Sequence, residues 1–252
     1  MGLQANGIGG LTKLGAGTLT LTNVNTYGGP TMVQGGSLAL TGSATLASSL
    51  ISVTNGANFD VSGLASFVLG SGQTLSNNAA STGALKGSID ASAGALSVSF
   101  VNGTPAFTLA NGTLTLSADT SVTVNNSGTS LRGGTYPLIV AGTAGSVAGT
   151  VPSVSVTGGG LSAGATAALN INGSGGLDLV VTGGAPSPTN ITYTVSGTTM
   201  TMNWPAGQGW LLQSNSIGLL NPSAWQTVTG ATPPYPVTIS PNQTNVFYRL
   251  KY

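Results

Sequence analysis

The 252-residue chain has no cysteine, no histidine and no glutamate, and its charged side chains are five Lys or Arg and four Asp. A soluble domain ordinarily carries roughly 25% charged residues; here they make up 4%. Each absence excludes a class of chemistry. Without His or Cys there is no imidazole base, no thiolate nucleophile and no ordinary zinc or copper site. Four Asp and no Glu leave few openings for a paired-carboxylate acid/base site. A net charge of +1 makes no electrostatic footprint for nucleic acid. No disulfide staples the fold, which leaves the redox compartment open.

Long apolar runs are also absent. Gly, Ser, Thr or Asn interrupts every one within a few positions, so no stretch reaches the roughly 18 apolar residues of a membrane span. What is present is Gly (40 residues) together with abundant Thr and Ser, and 40% hydrophobic residues, many of them β-branched. That is too apolar for a solvated disordered coil. Composition breaks once. Residues 186–252 contain all three Trp but few of the glycines, after a flexible-then-stiff junction Gly183-Gly184-Ala185-Pro186-Ser187-Pro188. A domain boundary is expected there, giving domains 1–185 and 186–252.

The first part is written in alternation. Thr18-Leu19-Thr20-Leu21, Ser37-Leu38-Ala39-Leu40, Phe59-Asp60-Val61, Leu96-Ser97-Val98-Ser99-Phe100 and Thr113-Leu114-Thr115-Leu116 each read as half-buried strands. Asn-Gly pairs at 55–56, 102–103, 111–112 and 172–173 supply the positive φ of tight corners. No stretch carries the 3.6-residue period and caps of a helix. Strand centres recur at spacings of about 20 residues, in the range of stacked solenoid coils. Coils share a narrow core that one coil cannot bury alone. A sandwich of hairpins is the competing reading, because Asn-Gly is also the strongest hairpin signal.

The segment at 9–42, GGLTKLGAGTLTLTNVNTYGGPTMVQGGSLALTG, resembles the autotransporter-associated β-strand repeat. The resemblance is carried by Gly10, Leu11, Thr12, Lys13, Gly15, Gly17, Thr18, Leu19 and Leu21, then by Asn25, Tyr27, Gly29, Thr31, Val33, Gly36, Leu38 and Leu40. Residues 131–182 are similar to the segment that closes such solenoids. The resemblance implies a secreted, surface-displayed right-handed β-helix with no catalysis of its own. Residues around Trp204, Trp210, Leu212, Gln213, Trp225, Phe247, Tyr248 and Arg249 resemble small fibronectin-III-like modules. Such modules close large secreted proteins of Verrucomicrobia and Planctomycetes type. The expected fold is all-β: a right-handed parallel β-solenoid followed by a small antiparallel β-sandwich.

No residue is assigned as catalytic, cofactor-binding or metal-binding, and no cofactor is expected. The three Trp offer a platform for sugars, or the core that a small sandwich needs. Asp60, Asp90, Asp119 and Asp178 are spaced near multiples of about 30 residues, yet single ligands are too few for Ca²⁺; isolated outward charges are the reading preferred. Six Asn-x-Ser/Thr sequons, at Asn102, Asn111, Asn125, Asn172, Asn190 and Asn242, read as turn and strand residues. Arg249 and Lys251 read as edge-strand protectors.

Met1–Gly10 lacks the basic and apolar regions of an intact signal peptide and a polar cap for the solenoid. The leading expectation is therefore an extracellular, cell-surface structural subunit that self-associates head to tail into a filament, with Met1–Gly10 or Val246–Tyr252 as donated segment. The second is a surface adhesin or stalk binding cell-surface glycans through the Trp-rich module, with Trp210 or Trp225 exposed. An enzyme such as a polysaccharide lyase is disfavoured for want of a base. Neither nucleic acid nor a membrane span is expected.

Overall fold

A computed structural model describes residues 9–101, 103–184, 189–206, 209–240, 242 and 245–252. The proposed donor segment up to Ile8, the linker residues Ala185–Pro188 and the sequon at Asn102 lie outside them. The chain divides into two compact units, Met1–Gly184 and Ala185–Tyr252.

The first unit is a parallel β-solenoid. Leu11–Lys13, Thr31–Val33, Leu50–Val53, Thr74–Asn77, Ala95–Phe100, Ser121–Asn126 and Val154–Gly158 pair in that order into a seven-stranded parallel sheet. A second sheet runs from Thr18–Leu21 through Ser37–Thr41, Asn58–Gly63 and Gly83–Lys86 to the long strands Phe107–Leu116 and Gly134–Gly149. A third side is made of short pairs, Val24–Asn25 with Thr45–Leu46 and Phe67–Val68 with Ile89–Asp90. The hairpin alternative is thereby overturned for this unit: Asn55 and Gly56, both at positive φ, turn a corner between sheets.

Alternation becomes stacking. Along the first sheet Leu11, Thr31, Ile51, Leu75, Leu96, Val122 and Val154 sit one above another. Along the second, Leu19, Leu38, Phe59, Leu85 and Leu109 do the same, and the interior members of both columns are buried. Each such Leu, Val or Phe contributes roughly 1.5–3 kcal/mol by leaving water. The buried hydroxyls of Tyr27, Thr31 and Ser48 form a chain, 2.8 and 2.6 Å apart, so the one polar member of the first column is satisfied by neighbours in its own and the next coil.

Coil length departs from the expected constant of about 20. Leu11 to Thr31 and Thr31 to Ile51 are steps of 20 residues, but Leu96 to Val122 is 26 and Val122 to Val154 is 32. The strands centred near 97 and 115 are not successive turns at all; Leu96–Phe100 and Thr113–Leu116 belong to different sheets. The corners absorb the extra residues, because insertion there leaves the columns in register.

After Gly134–Gly149 the direction reverses. Leu177–Gly183 pairs antiparallel with it, and Ala165–Ile171 pairs antiparallel with Leu177–Gly183 as the outermost strand. The second unit is a small sandwich. One antiparallel sheet comprises Thr192–Ser196, Thr199–Asn203 and Tyr235–Thr238; the other comprises Gln226–Thr227, Leu211–Asn215 and Phe247–Lys251. Met202, Trp204 and Leu212 form its buried centre. Among the described residues no helix is long and apolar enough to cross a membrane.

Candidate functional site

The three Trp that stand together in the sequence have different surroundings. Met202, on Thr199–Asn203, and Trp204, just past the end of that strand, are both buried in the sandwich core. Trp210 leads into Leu211–Asn215 and Trp225 follows a single helical turn, Pro222–Ala224, capped by the Asn221 side chain, which accepts from the Ser223 N–H. Both are half-buried. The Trp210 ring meets Tyr252 edge-on with centroids 6.1 Å apart, whereas Trp225 lies under the guanidinium of Arg249, 4.2 Å from its centroid.

Arg249 is therefore more than a solvated charge. It sits on Phe247–Lys251, an outer strand of its sheet, where an exposed cation discourages strand addition. Its neighbour across the pair is Gln213, and Arg249 Nε donates to Gln213 Oε1 at 2.9 Å. Gln213 is 5% exposed, so a buried amide below and an indole face alongside hold the guanidinium in one orientation. Gln213 was named in the sequence only as part of a resemblance; a lone Gln within the apolar run Leu211-Leu212-Gln213 is the signal for its role.

Beside this strand lies an open cleft of about 580 Å³, lined by Asn190, Ile191, Trp210, Tyr248, Arg249 and Leu250. The Trp210 indole N–H is shielded from solvent and has no acceptor among the described residues. Burial raises the Tyr248 pKa above that of a free phenol, with the nearby Tyr235 adding to the shift, so Tyr248 offers a neutral hydroxyl at any physiological pH. On another loop Asn215 accepts from the backbone N–H of Ile217 and Gly218 and donates to the Gly218 carbonyl at 2.8 Å. That loop displays Ile217, Leu219 and Leu220, the last 99% exposed.

The four Asp do not converge. Asp60 accepts from the Ser62 N–H and hydroxyl, Asp90 from the Ser92 N–H, and Asp119 occupies an exposed turn. Asp178 corrects the expectation of an outward charge: it is 8% exposed and accepts from Asn172 Nδ2 at 3.0 Å. The covering strand and the turn at Asn172 close over it, which strand parity alone does not reveal. Among the described residues no group of three or more His, Cys, Asp or Glu side chains is placed to hold a metal ion. Of the sequons, Asn111 accepts from the Gly87 N–H, and Asn172 shapes a turn by accepting from Ser174 and Gly176.

Comparison with known proteins adds the following. Residues 11–40 match the family model of the passenger-associated-transport-repeat. A stretch of 59 residues, 23% of this chain, is 48% identical to part of the adhesin BmaC autotransporter of Brucella suis biovar 1 (strain 1330). The chain spans about 2% of that protein's length. No solved structure matches. The chain thus carries an autotransporter-associated repeat, in the coils formed by Leu11–Lys13, Thr18–Leu21, Thr31–Val33 and Ser37–Thr41.

Proposed function

We propose that this chain is a non-catalytic, adhesin-type component of a bacterial cell surface, in which the solenoid supplies a stalk and the C-terminal unit supplies contact residues. The observation that carries this reading is the repeat itself. The match at residues 11–40 and the likeness to a stretch of an autotransporter adhesin support it. So does the use to which the solenoid puts its polar side chains: Thr31, Ser48, Asn25 and Lys13 bond to neighbouring coils and corners, which is structural work. Antibody against the chain should label intact bacteria that produce it, and added protease should remove the label. Labelling that appears only after lysis overturns the reading.

Head-to-tail association is a second reading, and one observation favours it. The two outer strands of the first sheet, Leu11–Lys13 and Val154–Gly158, run parallel, so a neighbour could continue the sheet in the same direction. Against it, the second sheet ends in an antiparallel hairpin, which suits a stalk that stops. Negative-stain images of concentrated protein separate the two: filaments support association, and single particles at every concentration overturn it.

A further inference from the structure

Each sheet of the C-terminal sandwich has two outer strands, and among the described residues three of the four carry a device that discourages a further strand. Gln226–Thr227 is two residues long, Phe247–Lys251 carries Arg249 and Lys251, and Tyr235–Thr238 carries Pro236, which has no N–H to offer. The fourth, Thr192–Ser196, has none: its five residues include no charge and no proline, and all five are exposed. Tyr193 and Val195 stand opposite Met202 and Met200, so they belong to the core-facing side of the sheet, yet they are 67% and 55% exposed. The facing sheet leaves this strand uncovered. Gly197 and Thr198 form a two-residue turn between Ser196 and Thr199, and the pair that closes such a turn is hydrogen-bonded. The peptide groups of Thr192, Thr194 and Ser196 are therefore used within the sheet, and those of Tyr193 and Val195 point to the free edge.

We propose that Thr192–Ser196 pairs antiparallel with the same strand of a second copy of this chain, joining the two sheets across a two-fold axis at Thr194. The strand is complementary to itself. In this register Tyr193 and Val195 of one copy lie opposite Val195 and Tyr193 of the other, aromatic–β-branched pairs of the kind that stabilise antiparallel sheets. Thr194 meets Thr194, and Thr192 meets Ser196. The outward peptide groups of Tyr193 and Val195 bond to one another, so the register agrees with the parity of the free edge. Charge points to the same occupant: an uncharged strand brings no like charges together when it meets itself, whereas a charged partner strand would find no counter-charge on this edge. Two strands of five residues bury less than the roughly 1,200 Å² of a standard interface. The association is therefore weak, with a dissociation constant between about 10 µM and about 1 mM. One such edge per chain makes an isologous contact that closes at a dimer, unlike head-to-tail association, which continues. The pairing adds to the surface reading and does not depend on it.

Sedimentation of the purified full chain from about 1 µM to about 1 mM, a span that covers that constant, is expected to show monomers passing into dimers. Val195→Pro removes an outward N–H and leaves the bonds to Thr199–Asn203 in place. It should weaken pairing at least about tenfold, and a thermal melt confirms that it folds. The chain has no cysteine, so single introduced thiols read the register directly. Opposed residues of a non-hydrogen-bonded antiparallel pair bring their Cβ atoms close enough for a disulfide. With oxidised glutathione as the oxidant, Thr194→Cys should cross-link to its own kind at least about tenfold faster than Ser196→Cys does. A mixture of Thr192→Cys with Ser196→Cys should give the mixed dimer. Monomers at every concentration, undiminished association of folded Val195→Pro, or cross-linking of Thr194→Cys no faster than that of Ser196→Cys each overturns the proposal; the first of these leaves the edge to a strand of another protein. Labelling of intact cells does not depend on pairing, so failure here leaves the surface reading standing.

Discussion

Lys13 Nζ donates to the carbonyl oxygen of Gly35 at 3.0 Å, tying the first coil to the corner of the second. It also donates to Leu14 O and Gly15 O, each at 2.8 Å. Lys13 is only 8% exposed and stands in line with Val33 and Val53. Its stem therefore occupies an apolar column position while its ammonium turns into the corner, where three carbonyl dipoles replace a counter-ion. Lys13→Met keeps the stem and removes the donors. It should cost about 1.5–3 kcal/mol, the range for hydrogen bonds to a charged group, measured by urea unfolding. Wild-type stability in this variant would show that the ammonium contributes nothing.

Gly36 follows that same corner, at φ +60°. A Cβ there would collide with the carbonyl oxygens of Gly17 and Gly15 in the coil below. Left-handed backbone costs an L-residue about 1–2 kcal/mol, and the collision adds an overpacking term of about 1–3 kcal/mol. Gly36→Ala should therefore lose about 2–5 kcal/mol. Gly56 also has positive φ, but a Cβ would meet nothing within 4 Å, so Gly56→Ala should lose only the backbone part. Equal losses at both sites would refute close coil stacking at Gly36.

Asn77 is fully buried, and its amide donates to Ser81 O and Ala106 O at 2.7 and 2.6 Å while its oxygen accepts from the Ala79 N–H. Asn77→Asp would face two carbonyl oxygens with a carboxylate, replacing two donors by a like-signed acceptor. Breaking a buried network around an uncompensated charge costs about 3–5 kcal/mol. Asn77→Ala, which leaves acceptors unpaired without adding charge, should cost about 1–3 kcal/mol. The order Asp worse than Ala, read from melting temperatures above pH 6, is the discriminating outcome.

These polar locks mark the limit of what the sequence reveals. Period-two alternation at Thr18–Leu21 and Ser37–Leu40 is legible because a strand with one buried side must alternate. The first two coil lengths are legible for the same reason, since Leu11, Thr31 and Ile51 fall at equal steps. Later coils are not, because the corners that precede Phe107 and that span Ser127–Leu131 take up extra residues without disturbing the columns. Lys13 stands in the sequence only as a position of the repeat, and nothing there points to the three corner carbonyls that surround its ammonium. Asp178 reads as outward by parity, yet Asn172, six positions earlier, folds back to cover it. On the C-terminal sheet, Trp225 and Arg249 are visible as residue types, but Gln213 and Trp225 fix the guanidinium through pairing across the sheet and a loop return. Neither follows from spacing.

The missing histidine and glutamate shape the pH response. Between about pH 5 and 9 no side chain of this chain changes charge at its ordinary pKa, so stability should be flat there apart from the chain termini. On the acid side, the Ser92 hydroxyl and then its backbone N–H hold Asp90 below the usual carboxylate value. A depressed folded pKa stabilises the protein above the unfolded value, and that contribution disappears as pH falls through the folded one. Asp90→Asn should therefore flatten the acid limb below about pH 4. On the alkaline side the signs reverse. Tyr248 has a raised folded pKa, so its neutral form is favoured in the folded chain. Its contribution is complete below the ordinary phenol value of about 10 and is lost as pH climbs through the folded value. Tyr248→Phe should remove part of the loss of melting temperature above pH 10 while leaving the plateau between pH 5 and 9 level. A wild-type melting curve that slopes through neutrality by more than the α-amino group can supply would require a titrating side chain the sequence does not contain.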